Sequence, residues 1–98
     1  MVCHHGGAGT TATGLRAARP TSIVFFFADQ PFWGSIVALK DVGAPPIPFG
    51  ALSSARLVEA WRYCLQDRVK ENAKALAKLL NRYFFAIFFY LFIDLLIY

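Results

Sequence analysis

The segment CHHGGAGTTATG, residues 3–14, combines two adjacent histidines, four glycines and three threonines, and it contains no acidic residue. Backbone N–H groups in a glycine turn and at a helix start attract anions, because the helix dipole adds partial positive charge there. Glycines also let the main chain approach the ligand closely. The segment therefore predicts an anion site of the diphosphate kind, although a structural turn with a buried histidine fits the same residues.

The two histidines and the glycine spacing limit what this segment can bind. His4 and His5 are predicted to end a strand, where successive side chains point to opposite faces, so a shared metal ion is not expected. One imidazole can instead donate to a phosphate. The spacing is not the dinucleotide pattern G-x-G-x-x-G, since Gly14 is the next glycine after Gly7 and Gly9. It is not a P-loop either, because no Lys-Ser or Lys-Thr pair follows.

A second polar pair, Asp29 and Gln30, follows an apolar run from Ile23 to Phe27. In open α/β sheets, ligands bind at the carboxyl ends of the strands, so a strand ending here would place the pair beside the glycine segment. A carboxylate and an amide together offer acceptors and donors for neighbouring sugar hydroxyls. The alternative interpretation is that the pair only caps a helix that begins at Pro31.

The elements that must position these residues alternate along the chain. MVCHH predicts a strand, a helix follows the glycines, and the run from Ile23 to Phe27 predicts a buried parallel strand. Pro31 opens a second helix that closes near Gly43, and APPIPFG predicts an extended or edge segment. From a cap at Ser53 or Ser54 the pattern becomes helical. This alternation indicates an α/β fold with a parallel sheet and flanking helices.

The two C-terminal helices each predict one buried face. In the first helix these residues are Leu57, Trp61, Cys64 and Leu65, and in the second they are Val69, Ala73, Leu76, Ala77 and Leu80. The opposite side of the second helix carries a basic residue at every fourth position, which predicts a solvated face: Lys70, Lys74, Lys78 and Arg82.

Length and composition exclude several function classes. The 98 residues fit one small domain or a piece of a larger one. A content of 57% hydrophobic residues exceeds what a small core can hide, so a partner, a further domain or lipid is expected to cover some of them. The net charge of +4 is spread along the chain, and nucleic acid is not an expected partner. Cys3 and Cys64 are too few for a disulfide framework, which favours a reducing compartment.

The last segment, YFFAIFFYLFIDLLIY at residues 83–98, has Asp94 as its only charged residue. A helix of this length would be about 24 Å long, against a hydrocarbon layer of about 30 Å. Three interpretations stay open: a membrane-anchoring helix, a helix that packs against further protein, and a non-native ending.

The two motifs together resemble the donor-sugar signature of nucleotide-sugar glycosyltransferases with two Rossmann-like domains, the GT-B type, and most of all the sterol 3-beta-glucosyltransferase group. The likeness runs from about Val2 to Leu80 and joins H-x-G-x-x-G-T to D-Q. It implies the C-terminal half of a donor domain, with a partial Rossmann-like sheet and a nucleotide-sugar site in residues 1–82, followed by the tail at 83–98. The sequence departs from the family at Phe25, where proline is usual.

The resemblance implies a UDP-sugar as partner, in an enzyme that transfers glucose from UDP-glucose to a sterol hydroxyl. Asp29 and Gln30 would hydrogen-bond the glucose hydroxyls. Trp33 lies in the same DQPFWG stretch, where packing on the helix explains it equally well, and His5 has no assigned role. The diphosphate would be held by an imidazole and by the backbone of the glycine segment, at His4, Gly6, Ala8, Gly9 and Thr10.

The resemblance also implies what other parts of such an enzyme supply. The catalytic base and the contacts to the sterol or lipid acceptor belong to the other domain, so no catalytic residue is predicted here and the isolated chain is expected to be inactive. UDP-glucose would be a substrate, and no cofactor is expected. The expected location is cytoplasmic, with membrane association left open. The alternative hypothesis is a small, non-catalytic, membrane-associated α/β protein whose glycine segment is only a turn.

Overall fold

The computed structural model describes residues 1–97, with side chains described for residues 1–83 and 86. The strands described form one parallel sheet in the order β1-β2-β3. The predicted α/β fold, with a parallel sheet and flanking helices, is confirmed. Along the chain the elements are β1 (Val2–His4), α1 (Ala8–Arg16), β2 (Thr21–Phe25), α2 (Gln30–Leu39), β3 (Ile47–Pro48), a 3-10 turn (Phe49–Ala51), α3 (Ser54–Cys64) and α4 (Asp67–Ile97).

Strand β2 is the centre of the sheet, and its first four residues are buried. The adjacent β2 residues Ile23 and Val24 point to opposite faces of the sheet, because side chains alternate along a strand. Helices therefore cover both faces, which explains the continuous apolar run in the sequence. On one face Ile23 packs with Leu15, Val37, Val42 and Ala73, and on the other Val24 packs with Ala44, Ile47, Ala60 and Cys64.

Strand β2 ends earlier than the apolar run predicts, and the expectation that it continues through Phe27 is wrong. Phe27 lies outside the strand and is 72% exposed. The Gln30 side-chain oxygen Oε1 accepts the backbone N–H groups of Phe26 and Phe27, at 2.7 and 3.1 Å, and Ala28 adopts a left-handed φ of 61°. These contacts turn the chain out of the sheet. Asp29 and Gln30 consequently lie at the start of α2 rather than at the strand end.

Helix α3 begins at the predicted cap, since the Ser53 Oγ accepts the Arg56 N–H at 3.2 Å. Its predicted buried face is wrong in part. Cys64 is buried, but Trp61 and Leu65 are 55% and 49% exposed, because α3 turns its smaller residues toward the sheet. In α4 the predicted face is confirmed: Val69, Ala73 and Ala77 are buried, and Leu76 and Leu80 pack against the cluster around Ile23.

The predicted apolar tail, residues 83–98, lies almost wholly outside the residues whose side chains the structure describes, so its role stays a prediction. The backbone of α4 is helical as far as Ile97. In the part of the chain that the structure describes, no helix combines the length and the apolar character that crossing a bilayer requires.

Candidate functional site

The structure brings the two predicted motifs together at one edge of the sheet. Strands β1 and β2 are parallel neighbours, with His4 opposite Ile23, so their carboxyl ends meet. The glycine segment leaves β1 at this edge, and the loop to α2 leaves β2 beside it. A methyl group at Gly6 would lie 3.2 Å from the Gln30 carbonyl oxygen and 2.7 Å from Cγ2 of Ile23. The two loops are therefore in direct contact.

His4 shapes the glycine segment through its imidazole. Its Nδ1 accepts the Gly6 N–H at 3.0 Å, and Gly6 has a φ of 90°, which favours glycine. Burial, and to a lesser extent the charge of His5, lowers the pKa of His4. With Nδ1 as an acceptor, the neutral ring carries its proton on Nε2. This N–H is buried and has no partner among the described residues.

His5 takes no part in the hydrogen bond between His4 and Gly6. The ring of His5 lies over Gly7, because a methyl group at Gly7 would be 2.8 Å from its Nε2. The His4 and His5 rings meet edge to face, with their centroids 6.4 Å apart. Across the side chains that the structure describes, no group of three His, Cys, Asp or Glu residues could hold a metal ion.

The first turn of α1 presents backbone donors at the same edge. Its first helical hydrogen bond runs from the Thr11 N–H to the Gly7 carbonyl oxygen at 2.9 Å. The N–H groups of Ala8, Gly9 and Thr10 precede that bond and have no carbonyl partner within the helix. No acidic side chain lies in this turn. These donors, with about half a positive charge from the helix dipole, form a local anion-attracting surface.

A cleft of about 660 Å³ lies along β1 and the first turns of α1. This volume is in the range of about 300 to 1,000 Å³ that small-molecule sites occupy. Three of the five predicted diphosphate residues line it, whereas Gly6 is buried next to it and Ala8 is exposed. The lining residues are Val2, Cys3, His4, Gly9, Thr10, Thr13 and Gly14.

Asp29 and Gln30 have different environments. Asp29 is exposed at the N-cap position of α2, but its carboxylate caps no backbone N–H; its Oδ2 accepts the Trp33 indole N–H at 2.8 Å. Gln30 is only 7% exposed, and its Oε1 accepts the two backbone N–H groups of the loop before it. Asp29 therefore keeps a carboxylate oxygen open to a ligand, while the Gln30 oxygen already has protein partners.

Sequence reasoning missed both of these contacts. For Asp29 and Trp33 a signal existed, because residues four apart at a predicted helix start lie on the same side. For Gln30 no local signal existed. Its fold-back depends on the left-handed turn at Ala28, and alanine has no preference for that conformation.

Comparison with known proteins points to glycosyltransferases. The chain is 54% identical over 77 residues to a sterol 3-beta-glucosyltransferase of Arabidopsis thaliana, which is 79% of this chain and 12% of the relative. A second such enzyme of the same plant is 53% identical over 80 residues, covering 82% and 13%. The O-mycaminosyltylonolide 6-deoxyallosyltransferase of Streptomyces fradiae is 38% identical over 66 residues, covering 67% and 16%. No protein-family model matches the chain.

The resemblance inferred from the two motifs is thereby confirmed. The match extends over about four fifths of this chain in the two plant relatives, and it reaches well beyond the motifs themselves. The chain spans about an eighth of the length of these two relatives.

Proposed function

We propose that this chain, which is homologous to a segment of sterol 3-beta-glucosyltransferases, forms part of the UDP-glucose site of such an enzyme. The contact between Gly6 and Gln30 carries the proposal. It joins the anion-attracting turn to the loop that holds Asp29, so that one nucleotide-linked hexose can touch both. A site split between opposite edges of the sheet could not bind such a molecule.

The diphosphate is proposed to lie at the first turn of α1. The N–H groups of Ala8, Gly9 and Thr10 supply donors, and the turn lacks any acidic side chain that would repel an anion. Gly6 gives the segment its left-handed bend. His4 fixes that bend through Nδ1, so it supports the diphosphate turn from behind, while its Nε2–H is shut off from solvent.

The hexose is proposed to lie over the loop before α2. The exposed carboxylate of Asp29 accepts a hydrogen bond from a sugar hydroxyl, and a charged acceptor makes this bond stronger than a neutral one. Gln30 acts in two ways in this proposal. Its Oε1 holds the loop in place, and its amide nitrogen donates to the sugar.

In the proposed reaction an acceptor hydroxyl oxygen attacks the anomeric carbon of glucose, and the bond to the UDP oxygen breaks. The negative charge that develops on UDP is stabilised by the amides at the start of α1. The proton of the hydroxyl passes to a base that lies outside these residues. The sterol acceptor is inferred from the relatives' names. UDP-glucose is a substrate in this scheme, no cofactor takes part, and a cytoplasmic location is proposed.

Titration of the purified chain with UDP and with UDP-glucose tests the proposal. We expect UDP-glucose to bind more tightly than UDP, and Asp29→Asn to weaken UDP-glucose by about tenfold while leaving UDP unchanged, because asparagine replaces a charged hydrogen bond by a neutral one that is about 1 to 1.5 kcal/mol weaker. Asp67→Asn, at the start of α4, is the matched control and should change neither affinity. Absence of binding up to millimolar UDP-glucose would contradict the proposal.

A further inference from the structure

The Asp29 side chain forgoes the hydrogen bond that its position normally makes. An aspartate at an N-cap usually accepts a backbone N–H two or three residues later, yet no such bond is present here. The carboxylate is turned instead to Trp33, whose Nε1–H donates to Oδ2 at 2.8 Å. The indole, rather than the helix backbone, sets the direction of this carboxylate.

The Trp33 ring is itself held in place by the core. It packs against the buried cluster that contains Ile23 and Val37, and it contacts Phe32 edge to face at a centroid distance of 5.0 Å. A partly buried indole that packs against the core has few alternative rotamers. The orientation of an exposed side chain, Asp29, is thus fixed through a side chain anchored in the interior.

We infer that Trp33 is a positioning residue of the donor-sugar site, an inference that rests on the proposed function. Its indole N–H holds Oδ2 of Asp29, which leaves Oδ1 as the oxygen that accepts a hexose hydroxyl. Without the indole N–H the carboxylate can return to the helix N-terminus or rotate in solvent. It must then be ordered when the sugar binds, at a loss of affinity of about three- to tenfold. The loss applies to UDP-glucose and not to UDP, because Asp29 touches only the sugar.

A single-atom replacement separates this role from packing. The chain has two tryptophans, Trp33 and Trp61, and Trp61 is 55% exposed on α3. In a Trp61→Phe background, biosynthetic incorporation of 3-benzothienylalanine replaces the N–H of Trp33 by sulfur and keeps the shape of the ring. The Trp61→Phe chain with its natural Trp33 is the control. Equal thermal midpoints show that both proteins are equally folded.

The expected result is a three- to tenfold weaker affinity of the sulfur variant for UDP-glucose, with unchanged affinity for UDP. In nuclear magnetic resonance, Asp29→Asn should move the Trp33 indole N–H signal and leave the Trp61 signal in place. Equal UDP-glucose affinity of the sulfur variant and its control would overturn the inference while the proposed function stands. If the unaltered chain does not prefer UDP-glucose over UDP, the proposed function fails and the inference fails with it.

Discussion

Gly6 packs directly against the main chain of Gln30, so the turn after β1 and the first residue of α2 share one contact surface. The space between them has no room for a side chain, because a methyl group at Gly6 would also meet Ile23 of the central strand. This contact connects local backbone geometry to function: the same residue that bends the glycine segment sets its distance from the loop that carries Asp29.

Replacing Gly6 by alanine should therefore destabilise the fold. Gly6→Ala places a methyl group 2.7 Å from Ile23 Cγ2 and forces alanine to adopt a φ of 90°. We expect a loss of about 2 kcal/mol or more in the free energy of unfolding, measured by urea denaturation. Gly9→Ala is the matched control. Nothing lies within 4 Å of its new methyl group, and alanine favours the helix by up to about 1 kcal/mol. Equal stability of the two variants would contradict the contact.

Gln30 should matter to the loop even without ligand. Gln30→Met removes the acceptor of the Phe26 and Phe27 N–H groups, and we expect a loss of about 1 to 3 kcal/mol. Hydrogen exchange should show faster exchange at these two amides. Gln30→Glu keeps an acceptor and should retain most of their protection. The control is Gln66→Met, at an exposed position on the other side of the fold, which should leave both amides unchanged.

Much of the fold could be predicted from the sequence because its signals are local. The alternation of strands and helices, the Ser53 cap and the buried face of α4 all follow from residue types and spacing. The end of β2 could not be predicted in this way. Phe26 and Phe27 are as apolar as the strand before them, and a side chain from the next helix competes for their N–H groups.

The candidate site was predictable as two motifs that lie side by side, because the carboxyl ends of neighbouring parallel strands meet, and the Gly6–Gln30 contact agrees. Their spacing identified the anion-attracting turn and the polar pair, but their contact depends on the register that pairs His4 with Ile23. That register joins residues far apart in the chain. The Trp33 hydrogen bond to Asp29 had a signal in the four-residue spacing, but that signal competes with the rule that an N-cap aspartate normally bonds the backbone.

A polar cluster beyond the site should contribute to stability. Asp41 has a left-handed φ of 53°, and its carboxylate accepts hydrogen bonds from Arg68, Tyr63 and Asn72. Asp41→Ala should destabilise the fold more than Asp41→Asn does, because asparagine keeps an acceptor and tolerates this φ. Thermal melts of the two variants test this order. Equal melts would show that the cluster does not hold the turn.

The same cluster predicts a response to strong acid. Hydrogen bonds from Arg68 and then Tyr63 hold the pKa of Asp41 below its ordinary value of 3.8. A lowered native pKa stabilises the fold above the unfolded value, and this stabilisation is lost as the pH falls through the native pKa. The natural chain should therefore lose stability below about pH 4 in urea denaturation. The Asp41→Asn chain should lose less stability over the same range.

His4 predicts a second and separate pH dependence, near neutrality. Burial lowers the pKa of His4 from 6.5, so the folded state disfavours the charged ring. Above pH 6.5 the full contribution of neutral His4 is present, and it is lost as the pH falls through the lowered pKa, because the unfolded state then binds more protons. Protonation also places a hydrogen on Nδ1 and removes the acceptor of the Gly6 N–H. The contribution of His4 to the free energy of unfolding should thus decrease as the pH falls from about 6.5 to about 5.

The variant that tests this mechanism is His4→Asn, whose Oδ1 can accept the Gly6 N–H but does not titrate in this range. We expect its stability to stay nearly constant over the same pH interval. The proposed affinity for UDP-glucose should show the same difference: it falls over this pH interval in the natural chain and stays nearly constant in His4→Asn. The reason is that the bend at Gly6 sets the position of the amides at the start of α1. A wild-type chain whose stability does not change across this interval would show that the Nδ1 contact does not hold the glycine segment.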